Sequence, residues 1–176
     1  MNSSAQPVAK LSLPSPRVTS EQPDLRKLGA EYAEGTPVFT MALTVSRQHL
    51  SDLIEHVPNT LFLQWTEDVT FAHCRSLGLD GPFTPDHKHC FFVIRHELEY
   101  RAEVFARDQL LLASWVSRIN KARLHRQHLV IRRQDQQPVF QAVSFWTFVE
   151  LATRKPRRIP DDLARRFLGT SSDGAR

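Results

Sequence analysis

Two acids, an imidazole and a carboxamide crowd together at Asp52, Glu55, His56 and Asn59, at the head of the stretch DLIEHVPNTLFLQWTEDVTFAH. Pro58 sits among them, and a clean amphipathic pattern follows. The first turn of a helix leaves backbone N–H groups without intrahelical partners and carries partial positive charge, so it can hold a developing oxyanion. A carboxylate just upstream can attack a carbonyl or act as general base on water. Taken alone, Asp52 reads as a turn or N-cap residue, the usual place for Asp before a helix. His56 and Asn59 read in the same way as surface or capping residues.

The elements that would position these groups follow from periodicity. Residues 38–46 are β-branched and aromatic and predict a strand. A helix is predicted over about 59–77, with Leu61, Phe62, Trp65, Val69, Ala72 and Leu77 on one stripe and Gly78 as its stop. After a Gly, Pro, Asp and His-rich loop, residues 91–104 alternate. Phe92, Ile94, His96, Leu98, Tyr100, Ala102 and Val104 share one face, which is expected to be buried and to receive the helix. Strand-like runs at 109–119, 122–132 and 138–151 are joined by short polar turns, and a short helix is predicted over 161–168 after Pro160. Strand, long helix, then four closely connected strands predict an α+β chain whose antiparallel sheet wraps one helix.

Composition bounds the rest. The 176 residues are 41% apolar and 24% charged, the values of an ordinary globular protein with one core. No run suits a bilayer span and no signal-peptide pattern opens the chain, so a cytoplasmic protein off the membrane is expected. Cys74 and Cys90 are too few for a disulfide framework. The net charge of +4 is too small to argue for nucleic acid. Residues 1–35 lack apolar periodicity before Leu25 and are expected to form a disordered or loose tail, with a short helical turn around 24–32. The domain is expected over 36–169, with a flexible tail over 170–176.

The run from Asp52 to Asn59, followed by Leu61, Phe62, Leu63 and Trp65, resembles the motif of the 4-hydroxybenzoyl-CoA thioesterase-like acyl-CoA thioesterases, which have the hotdog fold. That motif reads Asp-x-x-Gly-His-Val-Asn-Asn, then an aromatic residue and a leucine. Here Glu55 stands at the glycine and Pro58 at the first asparagine. The resemblance extends over about residues 37–168, with further matches at 91–112 and at Arg158, Ile159 and Pro160.

The resemblance implies an acyl-CoA thioesterase in which the Asn59 backbone N–H polarises the carbonyl, Asp52 is nucleophile or base, and His56 orients the thioester or the water. It places the acyl group against Phe62 and Trp65 and the coenzyme A phosphates at Arg118, Lys121 and Arg123, with residues 154–158 next in line. Some related enzymes carry the carboxylate on the helix, where Glu67 and Asp68 stand. It also implies a homodimer or homotetramer with the acyl pocket between subunits, and no cofactor. Two other readings stay open: a thioesterase for acyl groups on a carrier protein, and a non-catalytic acyl-binding protein. No Gly-x-Ser-x-Gly elbow occurs. His87, His89, Cys90 and His96 match no standard zinc spacing, so no metal is expected.

Overall fold

Two periodicities, one of two residues and one of 3.6, sort the chain into a six-stranded antiparallel sheet and two helices. They are seen in a computed structural model that describes residues 14–169. The elements are β1 (Arg17–Val18), β2 (Phe39–Thr44), a 3-10 turn at Arg47–His49, α1 (Asn59–Ser76), β3 (His89–Tyr100), β4 (Gln109–Asn120), β5 (Arg123–Arg132), β6 (Gln137–Glu150) and α2 (Asp161–Leu168). The strands lie in the order β1-β2-β4-β5-β6-β3. Lys121 and Gln136 take positive φ in the tight turns that join β4, β5 and β6. The predicted tail over 170–176 lies outside the described residues.

The helix α1 lies over β4 and β2. Its Phe62, Trp65 and Val69 pack on Met41, Leu43, Leu110, Leu112, Val130 and Phe140. Its last turn packs with Val116, Leu124, Trp146 and Phe148, and Leu163 and Phe167 of α2 close this second cluster. Each large side chain buried in this way contributes roughly 1.5–3 kcal/mol. The antiparallel sheet against one long helix is the hotdog arrangement.

A belt of polar side chains separates the two apolar clusters. Registration aligns Ser114 of β4, Arg126 and His128 of β5, Ser144 of β6 and His96 of β3. Buried Thr66, Thr70 and His73 of α1 belong to the same layer. In the sequence Arg126 stands close to Arg118, Lys121 and Arg123 of the β4–β5 turn. It is in fact 1% exposed, because the alternation of β5 turns Leu124, Arg126, His128 and Val130 toward the helix. Burial, reinforced by the Arg126 charge, pushes His73 down to about 3 and His128 well below the usual imidazole value. Both histidines stay neutral in the fold but take up a proton once unfolded. Stability is therefore complete above about pH 6.5 and is lost as pH falls toward 3. Between pH 7 and pH 5, His73 alone is expected to cost about 2 kcal/mol, read as a lower urea midpoint at pH 5. An unchanged midpoint would contradict it.

Strand β3 departs from expectation. A bulge between Val93 and Arg95 breaks its alternation, so Phe91 and Val93 share the helix side with His96, Leu98 and Tyr100, while Phe92 turns to the other face. The helix does not cover β3, which forms one edge of the sheet, and Phe92, Ile94, Leu98 and Tyr100 are exposed. The other long strand edge, on β2, is covered by β1.

The N-terminal arm is a second departure. Residues 14–36 are not a free tail: Arg17–Val18 pair with β2, the following segment packs on the outer face of the sheet, and the expected short turn lies at 25–29, where Leu28 N–H donates to the Asp24 carbonyl (3.3 Å). Leu25 is buried against Leu111, Ala113, Trp115, Leu129 and Ile131. The Trp115 indole donates to the Glu31 carbonyl (3.0 Å), Glu21 pairs with Arg133 (2.6 Å), and buried His49 donates from Nε2 to the Pro14 carbonyl (2.9 Å). The apolar outer faces of β4 and β5 need such a cover. Leu25→Ala is therefore expected to lower unfolding free energy by about 2–3 kcal/mol in urea titration. A change below half a kilocalorie would return the arm to the status of a tail.

Candidate active site

Three backbone contacts hold the polar run ahead of α1. Ser51 N–H donates to the His56 carbonyl (3.1 Å), His56 N–H to the Ile54 carbonyl (2.7 Å) and Val57 N–H to the Val104 carbonyl (2.9 Å). Val57 is buried and anchors the loop, while Asp52, Leu53, Ile54 and Glu55 are exposed. Pro58 then caps the helix with extended backbone, where its missing N–H leaves no intrahelical bond unmade. The first turn starts at Asn59, whose N–H is among those without intrahelical partners.

At this helix end a cleft of about 220 Å³ opens, bordered by His56, Asn59, Phe62, Tyr100, Glu103 and Val104 among others. The Tyr100 hydroxyl donates to the Asn59 carbonyl (3.3 Å). Phe62 meets the Tyr100 ring edge-on and stacks on Phe140, with centroids 5.7 and 5.1 Å away. His56 Nδ1 lies 3.4 Å from the Glu103 carboxylate. One wall is thus aromatic, and the helix end supplies N–H groups for a carbonyl oxygen.

Three of the residues singled out in the sequence, His56, Asn59 and Phe62, converge on this cleft. Asp52 stands on the same loop but does not border the cleft, and its carboxylate has no partner among the described residues. Trp65 is buried in the core against His49 and Phe62 and does not border the cleft. Glu67 is exposed on α1, and Asp68 is half-buried with its carboxyl pushed up by burial and by Glu67. His96 faces Ser144, 2.8 Å away. Burial lowers this histidine more than Glu67 raises it.

The basic residues lie at the opposite end of the sheet, since Arg123 is level with Thr147, which pairs with Phe92. Arg118 registers with His125 and Arg123 with Asn120, both on the outer side of the alternation. Lys121 instead shares a cleft of about 370 Å³ with Arg158, which pairs with Asp161 at 2.9 Å. The two basic runs that were separate candidates in the sequence therefore meet in space. The four residues once weighed for zinc have different partners: His87 meets Asp80, His89 stacks on Phe148, Cys90 is buried and His96 bonds Ser144.

A hotdog sheet with an open helix N-terminus beside an aromatic cleft defines a class of acyl-thioester enzymes. Residues 47–167 match the model of the thioesterase-like superfamily, and the chain belongs to that family, which makes it a thioester hydrolase. Solved structures share the fold. A 1,4-dihydroxy-2-naphthoyl-CoA thioesterase from Synechocystis, Slr0204, is 15% identical with a TM-score of 0.67, over 74% of this chain and 96% of its own. SAV2348 from Staphylococcus aureus, solved in complex with CoA, is 16% identical with a TM-score of 0.66, over 77% and 84%. The probable thioesterase YbaW from Escherichia coli is 21% identical with a TM-score of 0.60, over 72% and 94%. No curated protein matches the chain. No helix among the described residues is long and apolar enough to cross a membrane.

Proposed function

We propose that the protein hydrolyses acyl-CoA thioesters to the free acid and CoA, in the cytoplasm, as a homo-oligomer built on a two-fold dimer. The observation that carries the reading is the start of α1 at Asn59, bordering the aromatic cleft with His56. In this reading the thioester oxygen accepts from the Asn59 N–H. Asp52 either attacks the carbonyl carbon, giving an anhydride and expelling the CoA thiolate, or takes a proton from the attacking water. His56 orients the thioester or the water, and Phe62 contacts the acyl group.

The open edge of β3 supports the dimer. Pairing β3 with its two-fold copy would extend the sheet, cover Ile94, Leu98 and Tyr100, and bring apolar surface over the cleft mouth. Because the strands run antiparallel, the β4–β5 turn of one protomer would come to the end where Asn59 of the other stands. That explains how Arg118, Lys121 and Arg123, remote from the cleft in one chain, can serve coenzyme A phosphates.

Release of free thiol across short, long and aromatic acyl-CoAs tests the reading. Turnover of at least one class is expected, and binding without turnover would favour an acyl-binding protein instead. Replacing Arg118, Lys121 and Arg123 by Ala is expected to raise KM more than it lowers kcat and to weaken its salt dependence. An unchanged KM would move the phosphates to residues 154–158. A preference for carrier-bound over CoA-bound acyl groups would make an acidic carrier protein the partner of the same basic surface.

A further inference from the structure

Arg126 lies at the centre of the core, and among the described residues no carboxylate is within ion-pair distance of it. Its Nη1 donates to His73 Nδ1 (2.9 Å) and to the Ser114 hydroxyl (3.1 Å), while Nη2 faces Cys74 Sγ at 4.0 Å. Because a guanidinium only donates, His73 Nδ1 accepts and its proton sits on Nε2. These partners are neutral. Burial and the Arg126 charge hold His73 uncharged, and burial pushes the Cys74 thiol up more than Arg126 and Arg75 pull it down. An arginine keeps its proton in proteins, and a buried charge without a counter-charge is strongly unfavourable.

Beside this guanidinium is a small cavity of about 10 Å³, walled by Phe91, Leu124 and Phe167 and bordered by Thr70 and Trp146. Two of the lining residues carry buried polar atoms, Thr70 Oγ1 and Trp146 Nε1, with no hydrogen-bond partner among the described residues. The indole N–H can only donate and the threonine hydroxyl can donate, so two unpaired donors accompany a guanidinium whose own acceptors are all neutral. The volume suits one water-sized species.

We propose that this cavity binds a monatomic monovalent anion, chloride being the common one, held by Arg126, Thr70 Oγ1 and Trp146 Nε1. A water molecule would satisfy the hydrogen bonds but leave the charge. Phosphate or a carboxylate exceeds the space, and a metal cation is repelled by Arg126.

The full chain is melted in sodium chloride and in sodium gluconate at equal ionic strength, and crystals are soaked in sodium bromide. A saturable rise of Tm with chloride and an anomalous bromide peak beside Arg126 are expected. Thr70→Val removes one donor with little change of shape, Trp146→Phe removes the other with loss of ring volume, and each is expected to raise the half-effect chloride concentration by about tenfold. Arg126→Met is expected to abolish the chloride effect, and where it does not fold the two donor variants carry the test. A Tm indifferent to chloride, a cavity holding water alone, or donor variants with wild-type chloride dependence would each overturn the proposal. A bromide peak without chloride-dependent stability would mean an adventitious ion only and overturn it equally.

Discussion

Asp52→Asn is expected to lower kcat at least about a hundredfold while leaving KM and the melting temperature close to wild type. The substitution keeps size and most hydrogen bonding but removes the charge needed for attack or proton abstraction. Losing a general base alone costs about a hundredfold to ten-thousandfold in rate. The fold should not notice, because the side chain is exposed and has no partner among the described residues. A variant that keeps more than a tenth of wild-type kcat would make Asp52 a turn residue. Glu67 and Asp68, farther along α1, would then be tested in the same way, and intact turnover in all three would remove the carboxylate mechanism.

Leu98→Asp should convert the assembly to monomers and reduce activity to less than about a hundredth. Leu98 lies on the helix-side face of the uncovered β3 edge, with Ile94 and Tyr100 exposed nearby. Two-fold pairing there would place two carboxylates in an apolar interface, at a cost of roughly several kcal/mol each even after relaxation. Sedimentation gives the mass, and far-UV circular dichroism shows whether the monomer keeps its sheet. A folded Leu98→Asp monomer with wild-type turnover would show that one chain holds a complete site.

Much of this architecture was legible in the sequence because it rests on local periodicity. The apolar stripe of α1 and the alternation of β4, β5 and β6 depend on residues close in the chain. The bulge at Ile94 did not show, since one extra residue leaves the written alternation intact while reversing which face is inside. The arm was missed because Leu25, Leu28 and Tyr32 are isolated apolar residues whose partners, Trp115 and Leu129 among them, lie far along the chain. Arg126 is hidden for a related reason: a lone arginine near Arg118, Lys121 and Arg123 looks like their neighbour. Only strand register shows that it points the other way. At the helix N-terminus the motif located His56, Asn59 and Phe62 at one cleft, whereas Trp65 proved to be core.

The belt beneath α1 also bears on positional accuracy. A helix lying on a uniformly greasy surface can slip along its axis by one turn, about 5.4 Å, and still bury similar groups. Here a slip would pull His73 away from Arg126 and bring aliphatic side chains against the guanidinium, so neighbouring registers are excluded by chemistry rather than by shape. The lock lies near the far end of the rod, yet it sets where the first turn stops. Asn59 is thereby indexed to the sheet from about four turns away.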